Sequence, residues 1–229
     1  MKGEYFSWLS HDDRYKSNKI QWQIDKLSSL EDRYAILYGG YELINPKSEI
    51  LGSVHPDQQY SEDQLNTPLF ALLKGLAYGC TFLIPKKSFF EIGCFDESLP
   101  TTQDYALWFE FFRTIPIHYD FGINTQYRLH PEQDTKNHPG HIKECDELWI
   151  GFLRKITGKE KIAVSGSELK FSYDFYEFLS TTQYQAALQF AKNELRAVLS
   201  AHKASIIIPF FNNVSLAIES VRSAQTQSH

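Results

Sequence analysis

The sequence predicts an α/β fold, and two observations carry that expectation. Short runs of aromatic and aliphatic residues, each of strand length, recur at residues 5–9, 34–38, 41–44 and 81–84. Between them apolar residues return at helical spacing, first as Ile20, Ile24 and Leu27 and later as Leu65, Leu69, Leu72, Leu73 and Leu76. Strand-type runs alternating with a 3.6-residue periodicity are the pattern of a sheet flanked by helices.

The first run, Tyr5-Phe6-Ser7-Trp8-Leu9, ends abruptly in His11-Asp12-Asp13. As a buried strand it would carry the two aspartates at its carboxyl end, the rim of a sheet where α/β proteins bind ligands. Adjacent carboxylates repel, so the pair is comfortable if both are solvated, if one caps a helix, or if a cation sits between them. Capping and turn formation have a local reason, since Ser17 or Asn18 can open the helix carrying Ile20, Ile24, Leu27 and Leu30.

The remaining elements come in order along the chain. Residues 34–38 read as a strand, Gly39-Gly40 as a turn or bulge, and 41–44 as its continuation or hairpin partner, closed by Asn45-Pro46-Lys47-Ser48. Residues 53–60 read as a loop. Ser61 with Gln64 forms a capping box ahead of a leucine-rich helix ending near Gly79. A strand at 81–84 is stopped by Pro85, and a short helix at 87–92 ends at Gly93. Tyr105, Leu107, Trp108, Phe109, Phe111 and Phe112 form a helix apolar on several sides and therefore buried, which fixes Asp104 at its start. Residues 118–121 and 125–130 suggest a pair of strands, and 131–140 a polar loop. Helices are expected at 142–156 and between 168 and 202. A final strand at 204–209 and a helix at 216–224 look like the opening of a new α/β unit.

Composition narrows the function. Of 229 residues 42% are hydrophobic and 22% charged, an ordinary globular balance that can bury the cores of one or two domains. The net charge of -5 and pI near 5.9 argue against a nucleic-acid partner, so any bound phosphate is met locally, by a metal or by backbone amides. No apolar run reaches the ~20 residues of a membrane span and no leader pattern opens the chain, so a cytoplasmic location is expected, at most peripheral to the inner face of a membrane. Three cysteines without Cys-x-x-Cys spacing suggest free thiols rather than a disulfide framework or zinc site. The high aromatic content is core material first, though such rings also stack on sugars.

Three segments in order carry a resemblance. Gly3-Glu4-Tyr5-Phe6-Ser7-Trp8-Leu9-Ser10-His11-Asp12-Asp13 resembles the metal-binding acidic motif of the inverting GT-A-fold nucleotide-sugar glycosyltransferases of the family-2 type. Gly93-Cys94-Phe95-Asp96-Glu97, followed by Gln103-Asp104-Tyr105-Ala106-Leu107-Trp108, resembles the loop and helix bearing that family's catalytic base. Tyr127-Arg128-Leu129-His130 resembles the segment that returns a histidine to the site. The resemblance implies a partial GT-A, Rossmann-like sheet with flanking helices. Its cofactors would be a divalent metal (Mn or Mg) held by Asp12, Asp13 and His130 and a nucleoside-diphosphate sugar donor bound at the same residues. Asp104 would be the catalytic base, with Asp96, Glu97 and Trp108 near the acceptor.

The chemistry explains these residue types. A departing nucleoside diphosphate gathers negative charge, which a hard cation on carboxylate oxygens neutralises. The attacking hydroxyl needs a carboxylate within reach of its proton. Two departures from the family pattern stand out: Ser10 occupies a usually acidic position, and Gln103 precedes the base where an acid is usual. In the family a nucleotide-binding half precedes the acidic motif, whereas here Met1 stands just ahead of Gly3. The expected organisation is therefore the C-terminal half of one transferase domain over 1–157, a helical connector over 158–203, and the isolated strand-helix start of a second domain over 204–229. A strand at 5–9 without its usual neighbours would leave an apolar sheet edge, so self-association through that edge is expected.

The function expected first is transfer of a sugar from a nucleoside-diphosphate donor to a glycan hydroxyl with inversion, by a hexosyltransferase-like enzyme of bacterial surface polysaccharide synthesis, with the activity of the chain alone in doubt. The alternative is a degenerate, non-catalytic module that binds glycan or a partner enzyme. A metal-dependent phosphoryl hydrolase using the aspartate pair ranks below both, because no Gly-rich phosphate cradle is present.

Overall fold

A computed structural model describes residues 2–133, 138–201 and 214–225. In chain order its elements are strands β1 (Tyr5–Phe6) and β2 (Arg14–Tyr15), helix α1 (Lys19–Ser29), strands β3 (Ile36–Gly39), β4 (Tyr41–Ile44) and β5 (Ile50–Val54), helices α2 (Glu62–Leu65) and α3 (Phe70–Leu73), strand β6 (Ile84–Pro85), helices α4 (Lys87–Glu91) and α5 (Gln103–Thr114), strands β7 (Ile117–Asp120) and β8 (Thr125–Arg128), and helices α6 (His141–Lys155), α7 (Gly158–Ser165), α8 (Glu168–Ser180), α9 (Gln185–Ala201) and α10 (Val214–Gln225). The chain is a mixed α/β structure. The expected strand at 204–209 lies outside the described residues, as do positions 134–137 of the polar loop.

The strands form three small sheets rather than one. Buried β3 runs parallel to β7, pairing Ile36 with Ile117 and Gly39 with Asp120. A four-stranded sheet has the order β2-β8-β4-β5, with β8 parallel to β4 and antiparallel to β2. The third sheet is the antiparallel pair β1 and β6. The strands near 118–121 and 125–130 therefore do not pair with each other; each continues alongside its counterpart in β3 and β4. The glycine pair between β3 and β4 permits this crossing: a Cβ on Gly39 would stand 2.6 Å from the Asp120 carbonyl oxygen, and one on Gly40 would run into that of Val54. Only glycine allows so close a backbone approach.

Several local expectations need correction. The strand expected over 5–9 ends at Phe6, and residues 7–9 continue as a segment fixed by side chains, with Ser7 Oγ donating to the Phe82 carbonyl at 2.7 Å and Tyr15 OH donating to the Trp8 carbonyl. The expected leucine helix begins with the capping box, Gln64 N donating to Ser61 Oγ at 3.3 Å and Ser61 N to Gln64 Oε1 at 3.0 Å. It then breaks at Pro68, which has no N–H to give and whose ring obstructs the preceding turn, so that Leu69 adopts φ 64° and a second short helix starts. The leucines stay buried all the same. The loop expected over 53–60 begins as strand, because Ile50–Val54 joins the edge of the four-stranded sheet and leaves Ile50 and Leu51 exposed, and it includes a 3-10 turn at Pro56–Gln58.

Helix α1 is turned slightly from its expected face: Leu27 is buried with Ile24 and Leu30 packed beside it, but Ile20 is not. Ile20 is 44% exposed, while Lys19, Gln23 and Leu27 are buried. Burial of a lysine needs partners, and Lys19 Nζ donates to Gln23 Oε1 at 2.7 Å, Ser7 Oγ at 2.9 Å and the Phe82 carbonyl at 3.2 Å, lying 4.4 Å from the centre of the Tyr15 ring. Desolvation lowers its pKa to about 8.

Among the described residues an aromatic core draws together buried side chains from Ile36 to Ala191. Trp108, Phe109, Phe111 and Phe112 on α5 are fully buried, with Phe82 and Phe95 edge-on to Trp108. Phe109 stacks on Phe152 of α6 at 4.1 Å and 8°, and Trp149 meets Phe175 and Phe178 of α8. Each such ring contributes on the order of 2 kcal/mol by leaving water. The helices expected as a connector share this core, since Val164, Phe171, Phe175, Leu179, Ala187 and Ala191 belong to the same cluster as Ile36 and Phe82. Among the described residues no helix is long and apolar enough to cross a membrane.

Candidate active site

The acidic turn is built by long-range pairing. Arg14 stands opposite Gln126 and Tyr15 opposite Thr125, so the residues just before β2 run beside those just after β8. Asp13 N closes a turn on the Ser10 carbonyl at 3.2 Å. Asp12 Oδ2 meets His130 Nε2 at 2.8 Å, and both side chains are about four-fifths buried, at 18% and 19% exposure. Burial raises the Asp12 pKa, but the hydrogen bond with His130, a backbone hydrogen bond and the neighbouring His11 and His130 outweigh it and hold the carboxyl below its ordinary range.

Asp13 has a different role. Its Oδ1 accepts the Arg128 backbone N–H at 2.8 Å, and its Oδ2 accepts the Tyr78 hydroxyl and, at 3.4 Å, the Cys80 thiol. Burial dominates and raises its pKa, with the nearby Asp12 charge adding to the rise. Both oxygens face protein donors, so Asp13 anchors the turn while Asp12 sits at its surface.

Arg128 completes the anchorage. Its Nε donates to the Asp12 carbonyl at 2.7 Å and its Nη1 to the Asn45 carbonyl at 2.9 Å and Ser48 Oγ at 3.1 Å. Sequence reasoning singles out the segment around it but not this side chain. Tyr78 and Cys80 likewise escape it, since nothing in their local sequence shows that they lie under Asp13.

Asp104 lines a cavity of about 410 Å³ that opens beside this turn. Ser10, Tyr78 and Cys80, which pack around the acidic turn, line it together with Thr101, Asp104 and Tyr105 and with His141 and Trp149, which reach Thr101 and Tyr105 respectively. Burial raises the Asp104 pKa, opposed by the Tyr105 amide, which donates to Oδ1 at 2.8 Å, and by nearby His141, while Glu144 pushes it further up. A carboxylate held partly desolvated at the edge of a cavity is poised to accept a proton.

The remaining expected residues do not gather there. Trp108 is 0% exposed inside the aromatic core, so it offers no face to an acceptor: its neighbours Phe82, Phe95 and Phe111 enclose it. Asp96 and Glu97 are exposed on a turn in which Asp96 Oδ1 accepts from Ser98 N at 2.9 Å and Ser98 Oγ at 2.6 Å.

As to a metal, the described residues contain no group of three or more His, Cys, Asp and Glu side chains arranged to hold one. Asp12 and His130 supply an oxygen and a nitrogen donor side by side. The two are hydrogen-bonded to each other, so a cation held there would have to take the place of that bond and complete its shell with phosphate oxygens and water.

No family model matches the chain. An uncharacterized glycosyltransferase of Rickettsia bellii is 44% identical over all of this chain, which covers 33% of that protein, and one from Rickettsia prowazekii is 47% identical over 83% of this chain, covering 60% of its length. From end to end, the chain is similar to proteins named glycosyltransferases. It spans about a third of the R. bellii protein and well under two thirds of the R. prowazekii one. More distantly, the Escherichia coli UDP-Glc:alpha-D-GlcNAc-diphosphoundecaprenol beta-1,3-glucosyltransferase WfgD is 26% identical over 152 residues, 64% of this chain and 53% of that enzyme.

Proposed function

We propose that the chain carries the catalytic and acceptor side of a glycosyltransferase that moves a sugar from a nucleoside-diphosphate donor to a glycan hydroxyl with inversion, in bacterial surface polysaccharide synthesis. The observation that carries this reading is a cavity lined both by Asp104 and by the Ser10, Tyr78 and Cys80 side chains that pack around the acidic turn. The glycosyltransferase names of the relatives support it, and the substrates in the name of the E. coli enzyme supply a first choice of donor and acceptor.

Asp12 and His130 would hold a divalent cation together with the donor diphosphate. That cation supplies neutralisation of the charge that builds on the leaving group. Asp13 and Arg128 keep the Asp12 backbone in place, so the carboxylate does not reorganise when the donor arrives. Asp104 takes the proton from the attacking hydroxyl, while Trp8, Tyr78, Tyr105, Trp149 and Tyr184 give the cavity flat faces on which a sugar ring can lie. Asp96 and Glu97, exposed on the loop leading to α5, do not line the cavity and would meet an acceptor only outside it.

The test is transfer from UDP-glucose to a GlcNAc-diphosphate lipid with Mn2+, with the anomeric configuration of the product read by NMR. A β-linked product from the α-linked donor, lost in Asp104→Asn, is expected. A retained α configuration, or transfer by Asp104→Asn at the unaltered rate, contradicts the reading.

A further inference from the structure

The N-terminal turn of α5 is held from outside its own helix. Thr102, its N-cap, makes no side-chain capping bond to the helix. Glu144 of α6 reaches across instead: its Oε1 accepts from Thr101 N at 3.0 Å, Thr102 N at 2.8 Å and Thr102 Oγ1 at 2.7 Å, and its Oε2 accepts from Thr101 Oγ1 at 3.0 Å. Thr101 Oγ1 also lies 2.9 Å from His141 Nδ1, one turn before Cys145 on the same helix. A carboxylate at a helix N-terminus satisfies amides that lack intrahelical partners and complements the helix dipole. Two residues into that turn stands Asp104.

We propose that Glu144 is a positioning residue for Asp104, clamping the first turn of α5 to α6 so that the Asp104 carboxyl stays turned into the cavity. The catalytic weight of the clamp rests on the reading of Asp104 as the base; the clamp itself does not. Thr101, Thr102, Asp104 and His141 all line the cavity, with Glu144 behind them. Helix α6 thus lines the cavity with Trp149 and holds the turn that carries the base, which ties the fit of an acceptor to the placement of the group that deprotonates it. The titratable groups around Asp104 are His141 and Glu144 on α6, Tyr105 beside it and Cys145, whose thiol its charge helps to raise.

The clamp is testable without substrate, by following the Asp104 carboxyl carbon through a pH titration with 13C NMR, assigned by its disappearance in Asp104→Asn. Glu144→Gln removes a negative neighbour and is expected to move the midpoint down by about one pH unit. His141→Gln removes a positive one and is expected to move it up. Shifts of opposite sign are not what a general loosening produces, since added water drives both the same way. An unmoved midpoint in Glu144→Gln, or shifts of one sign, overturns the proposal. Thr101→Val, a milder change for use if Glu144→Gln does not fold, is expected to speed hydrogen exchange of the Thr102 and Ala106 amides about tenfold; unchanged exchange overturns it as well. If the shifts appear while Asp104→Asn still transfers sugar, the base assignment fails and the clamp stands.

Discussion

Asp12 and His130, 118 positions apart in the chain, meet at 2.8 Å because β2 and β8 pair antiparallel and carry the residues flanking them to one place. The pairing makes the histidine part of the acidic turn. His130→Ala is expected to weaken Mn2+-dependent nucleotide binding about tenfold while lowering the thermal midpoint less than Asp13→Ala does, because it removes the bond to Asp12 and none of the bonds that fix Asp13. Calorimetric titration with MnUDP, beside a melting curve, checks both halves.

Asp13 should behave in the opposite way. Asp13→Ala strands the Arg128 amide and the Tyr78 hydroxyl in a buried setting, at a cost of about 2–4 kcal/mol. Asp13→Asn keeps an acceptor and should lose less. Urea unfolding of the two variants, read against Asp12→Ala, orders them: Asp13→Ala least stable, Asp12→Ala closest to the parent.

The stack of Phe109 on Phe152 ties α5 to α6, so Phe152→Ala is expected to cost roughly 3–5 kcal/mol. Because α7, α8 and α9 share that core, the loss should appear in a single cooperative transition. Hydrogen exchange resolved along the chain checks this, and exchange accelerated at 158–201 alone would show that those helices open independently.

Lys19 gives a pH signature. Its folded pKa, about 8, lies below the ordinary lysine value, so between those two the unfolded chain binds more protons than the folded one. Stability contributed at this residue therefore rises as pH climbs through about 8 toward the unfolded value, by on the order of 2 kcal/mol in all. The stability difference between the parent and Lys19→Met, measured by urea unfolding at pH 7 and pH 10, should shift in favour of the parent at the higher pH.

Local chemistry was legible and long-range chemistry was not. The Ser61 and Gln64 capping box, the apolar series on α5 and the helix at 141–155 follow from rules that act within a few residues, and the structure contains each. Asp12 could be singled out because it ends an apolar run and Asp104 because it opens one, whereas His130 is reached through the family resemblance. Tyr78, Cys80 and Glu144 could not, since their roles depend on partners 43 to 67 positions away. Pro68 was readable, and the leucine spacing around it outweighed a residue that cannot continue a helix. On α1 periodicity misled in part: beside Leu27 the buried positions hold a lysine and a glutamine, acceptable only because Ser7, Phe82 and Thr81 supply their partners. The extent of the small sheets depends on which strands find each other, information that no single run contains.

The most direct measurement is calorimetric binding of UDP in the presence and absence of Mn2+ to the parent chain, Asp12→Ala and Asp104→Asn. The account predicts binding that requires Mn2+, is lost in Asp12→Ala and is kept in Asp104→Asn, because Asp104 lines the cavity whereas Asp12 and His130 pair with each other outside its lining. Binding that ignores both Mn2+ and the Asp12 substitution, or that disappears in Asp104→Asn alone, would contradict it.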